Sequence, residues 1–227
     1  MHPFPRYRSL AASLLFLFAH CTAAAEGGFL GFGGSEHTPS LTLKPAEIAL
    51  DAPTSIQGND LALLLAQAGK GNSLTAMKEK ASRKFSAELQ RILYTHLQEF
   101  FDDEEVPLVQ EGGFLTLRNY LDISIGKQLN NLKQDGGTEV EQGTIELSGD
   151  FHYRLDNPAG APLREQHIDI GDLRVREKYR VKRGRDGNVD DTTDAAINRA
   201  LTNLVKRLID RVEDNLEADA LRELAAG

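Results

Sequence analysis

The sequence predicts an α+β fold of two layers, in which an antiparallel meander sheet is covered on one face by two long amphipathic helices. Three observations predict it. Apolar residues recur at three- and four-residue steps from Phe85 to Phe100 and again from Ile197 to Leu216. Between these stretches the apolar period drops to two, over Leu115–Ile125, Ile145–Leu155 and Ile168–Val181. A sheet with one apolar face needs a cover, and two striped helices supply it.

Composition bounds the reading. A chain of 227 residues that is 41% hydrophobic can bury a core without disulfides or metals. A formal charge of −8 excludes a generally basic nucleic-acid binder. A single cysteine excludes a disulfide scaffold and any multi-thiolate metal or iron–sulfur site.

The N-terminus reads as an export signal. Arg6 and Arg8 precede an apolar run from Leu10 to Ala19, and Ala23-Ala24-Ala25 offers an A-x-A processing site. The run is too short to span a bilayer, which takes roughly 20 apolar residues, and no comparable run follows. Cleavage after Ala25 leaves a mature chain without cysteine, which suits an oxidising periplasm. Lipidation at Cys21 is the alternative, although His20 stands where a lipoprotein signal has a small residue.

Residues 1–25 are thus expected as signal peptide and 26–39 as a glycine-rich leader. A single domain over 40–219 and a tail over 220–227 follow. Within the domain, Leu41–Leu50 is a candidate strand that Pro45 confines to an edge or bulge. Asn59–Ala68 is a short helical piece, and Ser73 is placed to cap the first long helix. That helix ends at the acidic turn Asp102–Glu105. In the third alternating run the parity of the apolar positions slips near Gly171, where a bulge would restore the inward face. Thr193 or Asp194 is expected to cap the last helix.

Tests for chemistry come back thin. No histidine has a second histidine or cysteine at i+2 to i+4, so no metal spacing appears. His96 lies on the apolar side of its helix and reads as a core-edge residue bonded to backbone or tyrosine. Asp186, Asn188 and Asp190 occupy positions 1, 3 and 5 of a calcium loop, but Asp191 and Ile197 break it at positions 6 and 12. Nucleophile motifs are missing, and no catalytic residue or cofactor is expected.

The candidate binding feature is basic. Arg174, Arg176, Lys178, Arg180 and Lys182 alternate along the third run, which aims all five at the wet face. On an acidic protein this row suits an anionic envelope component, a lipid or glycolipid, or an acidic face of an envelope protein. Glu146 and Asp150 on a neighbouring strand are placed to pair with it across the sheet instead.

The layout resembles the YajG-like envelope lipoproteins. Leu115 to Gln134 looks like that family's long first meander strand, and Asp194-Ala195-Ala196-Ile197 like the opening of its last helix. More distantly the layout is similar to TolB N-terminal domains and peptidoglycan-synthase activators. The resemblance implies a non-catalytic interaction module of a Gram-negative envelope, periplasmic or attached to the outer membrane.

Overall fold

The computed structural model describes residues 37–53 and 74–226. The chain divides into two units, Met1–Gly34 and Ser35–Gly227, and the described residues belong to the second. The signal peptide, most of the leader, Cys21, the Asn59–Ala68 piece and the Ser73 cap lie outside the described residues.

The fold is α+β, with helices gathered on one face of an eight-stranded sheet. Its spine is the long hairpin of β4 (Leu115–Asp135) and β5 (Thr138–Asp156), which turns at Gly136-Gly137. Both turn glycines have positive φ, 53° and 87°, as a tight hairpin with strands of right-handed twist requires. The alternation read from the sequence is the pleat itself. Leu115, Leu117, Leu121, Ile123 and Ile125 are buried on one face, and Thr116, Arg118, Tyr120, Asp122 and Ser124 point to the other.

On the free side of β5, two strands run end to end. β6 (Pro162–Asp169) pairs with residues 150–156, and β7 (Arg176–Arg183) with residues 139–146. The parity slip near Gly171 is real, but its device is a 3-10 turn over Ile170–Leu173 and not a bulge. Asp169 Oδ1 accepts the Gly171 N–H at 2.7 Å, and Arg174 follows in the left-handed region at φ 50°. This extra turn lets Ile168 and Ile170 on one side of it, and Val175, Tyr179 and Val181 on the other, all face the core. β8 (Val189–Asp191) closes that edge against β7.

The opposite edge departs from a pure meander. The expected strand over Leu41–Leu50 is broken at Lys44-Pro45-Ala46 into β1 (Leu41–Leu43) and β2 (Glu47–Asp51). Pro45 has no N–H to give a ladder, so the pairing stops and restarts around it. Both pieces run parallel to β4, because a helix carries the chain from β2 back to the sheet. A two-residue strand, β3 (Leu108–Val109), adds to β1 at the rim.

That crossover helix is α1 (Leu74–Asp103), whose stripe buries Phe85, Leu89, Ile92, Leu93, Leu97 and Phe101. Its acidic end turns through Glu105 at φ 53°. Helix α2 (Thr193–Leu216) packs on α1, β5 and β7 with Ile197, Leu201, Leu204, Val205, Leu208 and Val212 inward. Its start is held by Asp191, whose Oδ1 accepts the Thr193 N–H at 2.8 Å, so the capping role falls before both expected positions, Thr193 and Asp194. Thr192 instead clips β7, its hydroxyl donating to Arg180 O and accepting Arg180 N–H. Residues expected as a tail form a third helix, α3 (Ala218–Ala226), with Leu221 fully buried. Glu104 at the end of α1 accepts the first N–H of α3 at 3.2 Å, and Arg222 donates to Thr38 at 2.8 Å.

Two substitutions test this packing. Leu201→Ala, at a position with no exposed surface, should lower unfolding free energy by about 2–5 kcal/mol in chemical denaturation. Gly149→Ala should also destabilise, because Gly149 sits at φ 125° and a Cβ there would meet Asp122 O at 2.0 Å. Wild-type midpoints for both variants would refute the register given for β4 and β5.

Candidate functional site

The basic row is present on β7 but is shorter than expected and half neutralised. Arg176, Lys178, Arg180 and Lys182 alternate outward, whereas Arg174 precedes the strand in the left-handed turn and is not part of the ladder. Register explains the pairing. Glu146 stands directly opposite Arg176, and their side chains meet at 2.5 Å. Asp190 on β8 takes Arg180 at 2.9 Å, while Asp150 is drawn to His167 at 2.8 Å and leaves the row alone. Among the described residues Arg174, Lys178 and Lys182 have no ion-pair partner. Such exposed pairs contribute only ~0–1 kcal/mol each.

The remaining chemistry-bearing residues are dispersed. His96 is bonded through Nδ1 to Glu99 at 3.0 Å, one turn along its own helix, and not to backbone or tyrosine. On the outer sheet face His152 stacks on Tyr120 at 5.6 Å and reaches Glu165 at 3.3 Å. Asp186 and Asn188 form a turn around Gly187, with the Asn188 N–H and side-chain amide both donated to the Asp186 carboxylate. Those bonds hold the Asp186 carboxyl below its ordinary range. Among the described residues no three histidines, cysteines or acids converge as a metal site.

An interior cluster organises the base of the hairpin arm. Lys127 lies 2.8 Å from Glu141 and sits over the Tyr179 ring at 4.6 Å, and the Tyr179 hydroxyl donates to Glu141 at 2.9 Å. Burial raises the Glu141 pKa, but the bonds from Lys127 and Tyr179 outweigh it, and the net shift is downward. Burial and the same carboxylate push the Tyr179 hydroxyl well above the ordinary phenol range.

The feature that sequence reasoning missed is a recess of about 760 Å³ between α1 and the broken edge of the sheet. The interruption at Lys44-Pro45-Ala46 and the short β3 wall it on one side, and the face of α1 around Tyr94 walls it on the other. Leu43, Leu93, Leu97 and Leu108 make it apolar. Asn119 also lines it, from the inward face of β4 where its neighbours at 117 and 121 are leucines. Asn119 is 3% exposed, and its Nδ2 has no hydrogen-bond partner. An unmade bond at a buried amide costs about 1–3 kcal/mol, so this group is either a stability defect or a recognition group held ready. The rim carries Gln90, Gln98, Gln110, Lys44 and Tyr94, the last 45% exposed. Arg91 is on the rim too but is committed to Glu88 through two hydrogen bonds of 2.7 and 3.1 Å.

Among the described residues this lining contains no carboxylate, imidazole, thiol or aliphatic hydroxyl. It can hold a ligand by apolar contact and amide hydrogen bonds. From the sequence the only signal was Asn119, a polar residue in the inward phase of an otherwise apolar strand.

The Glu141 cluster makes a pH-dependent prediction. With its folded-state pKa lowered, Glu141 adds stability above the unfolded-state value near 4.5, and that contribution is lost as pH falls through the folded-state value. Glu141→Gln should therefore lower stability at pH 7 and flatten the acid limb of the stability-versus-pH curve. An acid limb with unchanged slope in the variant would refute the assignment.

At the level of sequence, no protein family and no curated protein matches the chain. Solved structures do. A neuraminyllactose-binding hemagglutinin homolog from Helicobacter pylori superposes with a TM-score of 0.52 at 12% identity, over 83% of this chain and 90% of that one. A minor lipoprotein from Acinetobacter baumannii gives a TM-score of 0.35 at 11% identity, covering 79% and 93%. Lipoprotein GNA1162 from Neisseria meningitidis gives 0.18 at 11%, covering 78% and 99%. The last two are too loose to carry an argument. The chain is similar in fold to the H. pylori protein, and the likeness extends to the architecture alone.

Proposed function

We propose that this protein is an exported, non-catalytic binding module of a Gram-negative envelope, and that the recess between α1 and the β1–β3 edge is its binding site. The observation that carries the reading is the buried, unpartnered Asn119 amide in the lining of a largely apolar recess. Export is supported by the charged start, short apolar run and Ala23–Ala25 site of the sequence. An envelope setting is supported by the layout resemblance to YajG-like lipoproteins and by the fold shared with the H. pylori protein. Among the described residues no helix is long and apolar enough to cross a membrane.

A photo-crosslinking amino acid at position 94, on the recess rim, tests this in cells. It should give reproducible adducts that the same group at exposed Lys206 on α2 does not give. Equal adduct patterns at both positions would remove the recess as the binding site.

A second reading keeps the basic row as an anion-binding surface, because Arg174, Lys178 and Lys182 make no ion pair among the described residues. Lys178→Glu with Lys182→Glu should then abolish binding to vesicles containing anionic lipid at low salt. Unchanged vesicle binding would exclude the row.

A further inference from the structure

Resting on the recess as the binding site, we infer that its ligand is an acyl-type amphiphile: an alkyl chain ending in an oxygenated, preferentially acidic head. The walls select the class. Leu43, Leu93, Leu97 and Leu108 offer hydrocarbon and no partners, so each hydroxyl of a polyhydroxy ligand laid on them would lose a bond to water without replacement. Among these leucines Asn119 is the one polar group, and it satisfies one oxygen through Nδ2. A ligand that is apolar along its body and carries an oxygen at one point matches the leucines and Asn119. A sugar would find partners only at the rim, among Gln90, Gln98, Gln110 and Tyr94.

Charge at the mouth selects the head. Two cations line the recess, but Arg91 is held by Glu88, whereas Lys44 is half-buried and has no ion-pair partner among the described residues. Strand register brings Lys44 close to Asn119. The Lys44 N–H donates to Leu117 O at 3.0 Å, and Asn119 lies two residues further along β4. A carboxylate at this point would take the amide N–H and the ammonium together, with its chain lying on the leucines. The volume of about 760 Å³ is ample for one such molecule.

The test uses the mature chain labelled with nitrogen-15, with dodecanoate, 1-dodecanol and neuraminyllactose as probes. The Asn119 side-chain amide resonance is followed, and Kd is measured by calorimetry. Dodecanoate and dodecanol should both move the Asn119 resonance, dodecanoate binding tighter and with greater salt sensitivity. Lys44→Gln should erase that difference between the two. Asn119→Leu should weaken both by about three- to tenfold, the worth of one hydrogen bond. Ala87→Trp, on the exposed rim of α1 where folding is not at stake, should abolish both. If neuraminyllactose moves the Asn119 resonance and the two chain-bearing probes do not, the ligand class is wrong while the recess stands. Binding of the chain-bearing probes without movement of that resonance also overturns the inference. If no probe moves it and the position-94 adducts match those at Lys206, both the inference and the recess reading fail.

Discussion

The constraint on which the structure depends is the one-sided apolar face of the β4–β5 hairpin. Nineteen and twenty-one residues long, the two strands pair along nearly their whole length with one register shift, between Leu129 and Asn131. A ladder of this kind satisfies its own backbone but leaves a leucine- and isoleucine-rich surface in water. Covering that surface draws α1 and α2 onto the same side, and the other strands add to the hairpin's edges. Helix termini are then tied by local polar groups: Asp191 at the start of α2, Glu104 at the start of α3, and an ion pair between Lys84 and Asp194 joining α1 to α2.

The division of labour between centre and edge follows from this. Side chains over the hairpin are used up in packing; Glu141 finds partners there in Lys127 and Tyr179, whereas the Tyr153 hydroxyl is buried without one. At the β1–β2 edge the cover is incomplete. Pro45 interrupts the ladder, a recess lies beside the break, and the buried Asn119 lines it with its amide unpartnered. The outer face of the sheet behaves differently again: Glu146 faces Arg176 across the ladder and Asp190 reaches Arg180 diagonally, so two of the basic side chains are paired.

Much of this was legible in the sequence where a period carries the information. Apolar spacing alone separates the two helices from the sheet and names the inward residues of all three long runs. The parity slip at Gly171 also shows, although a bulge and a 3-10 turn displace parity alike, and sequence cannot choose between them. Pairing direction is another matter: Leu41–Leu50 reads the same whether it joins β4 parallel or antiparallel, because that choice is made by the helix in between. Cap positions shifted because Asp191 and Asp194 flank the same helix start, and only the backbone geometry selects one. The recess was invisible for a simpler reason. It is formed by what a proline break leaves out, and a void has no residue pattern of its own.

Placing the break at Lys44-Pro45-Ala46 has a further consequence. The recess is bounded by short segments that hang from the rim, and β1, β2 and β3 together contribute ten residues to the sheet. Val109 on β3 and Tyr94 on the outer flank of α1 are exposed, whereas Leu41 and Thr42 on β1 are buried in the core. A scaffold so arranged tolerates change at the exposed positions of its rim far better than change in the strands beneath.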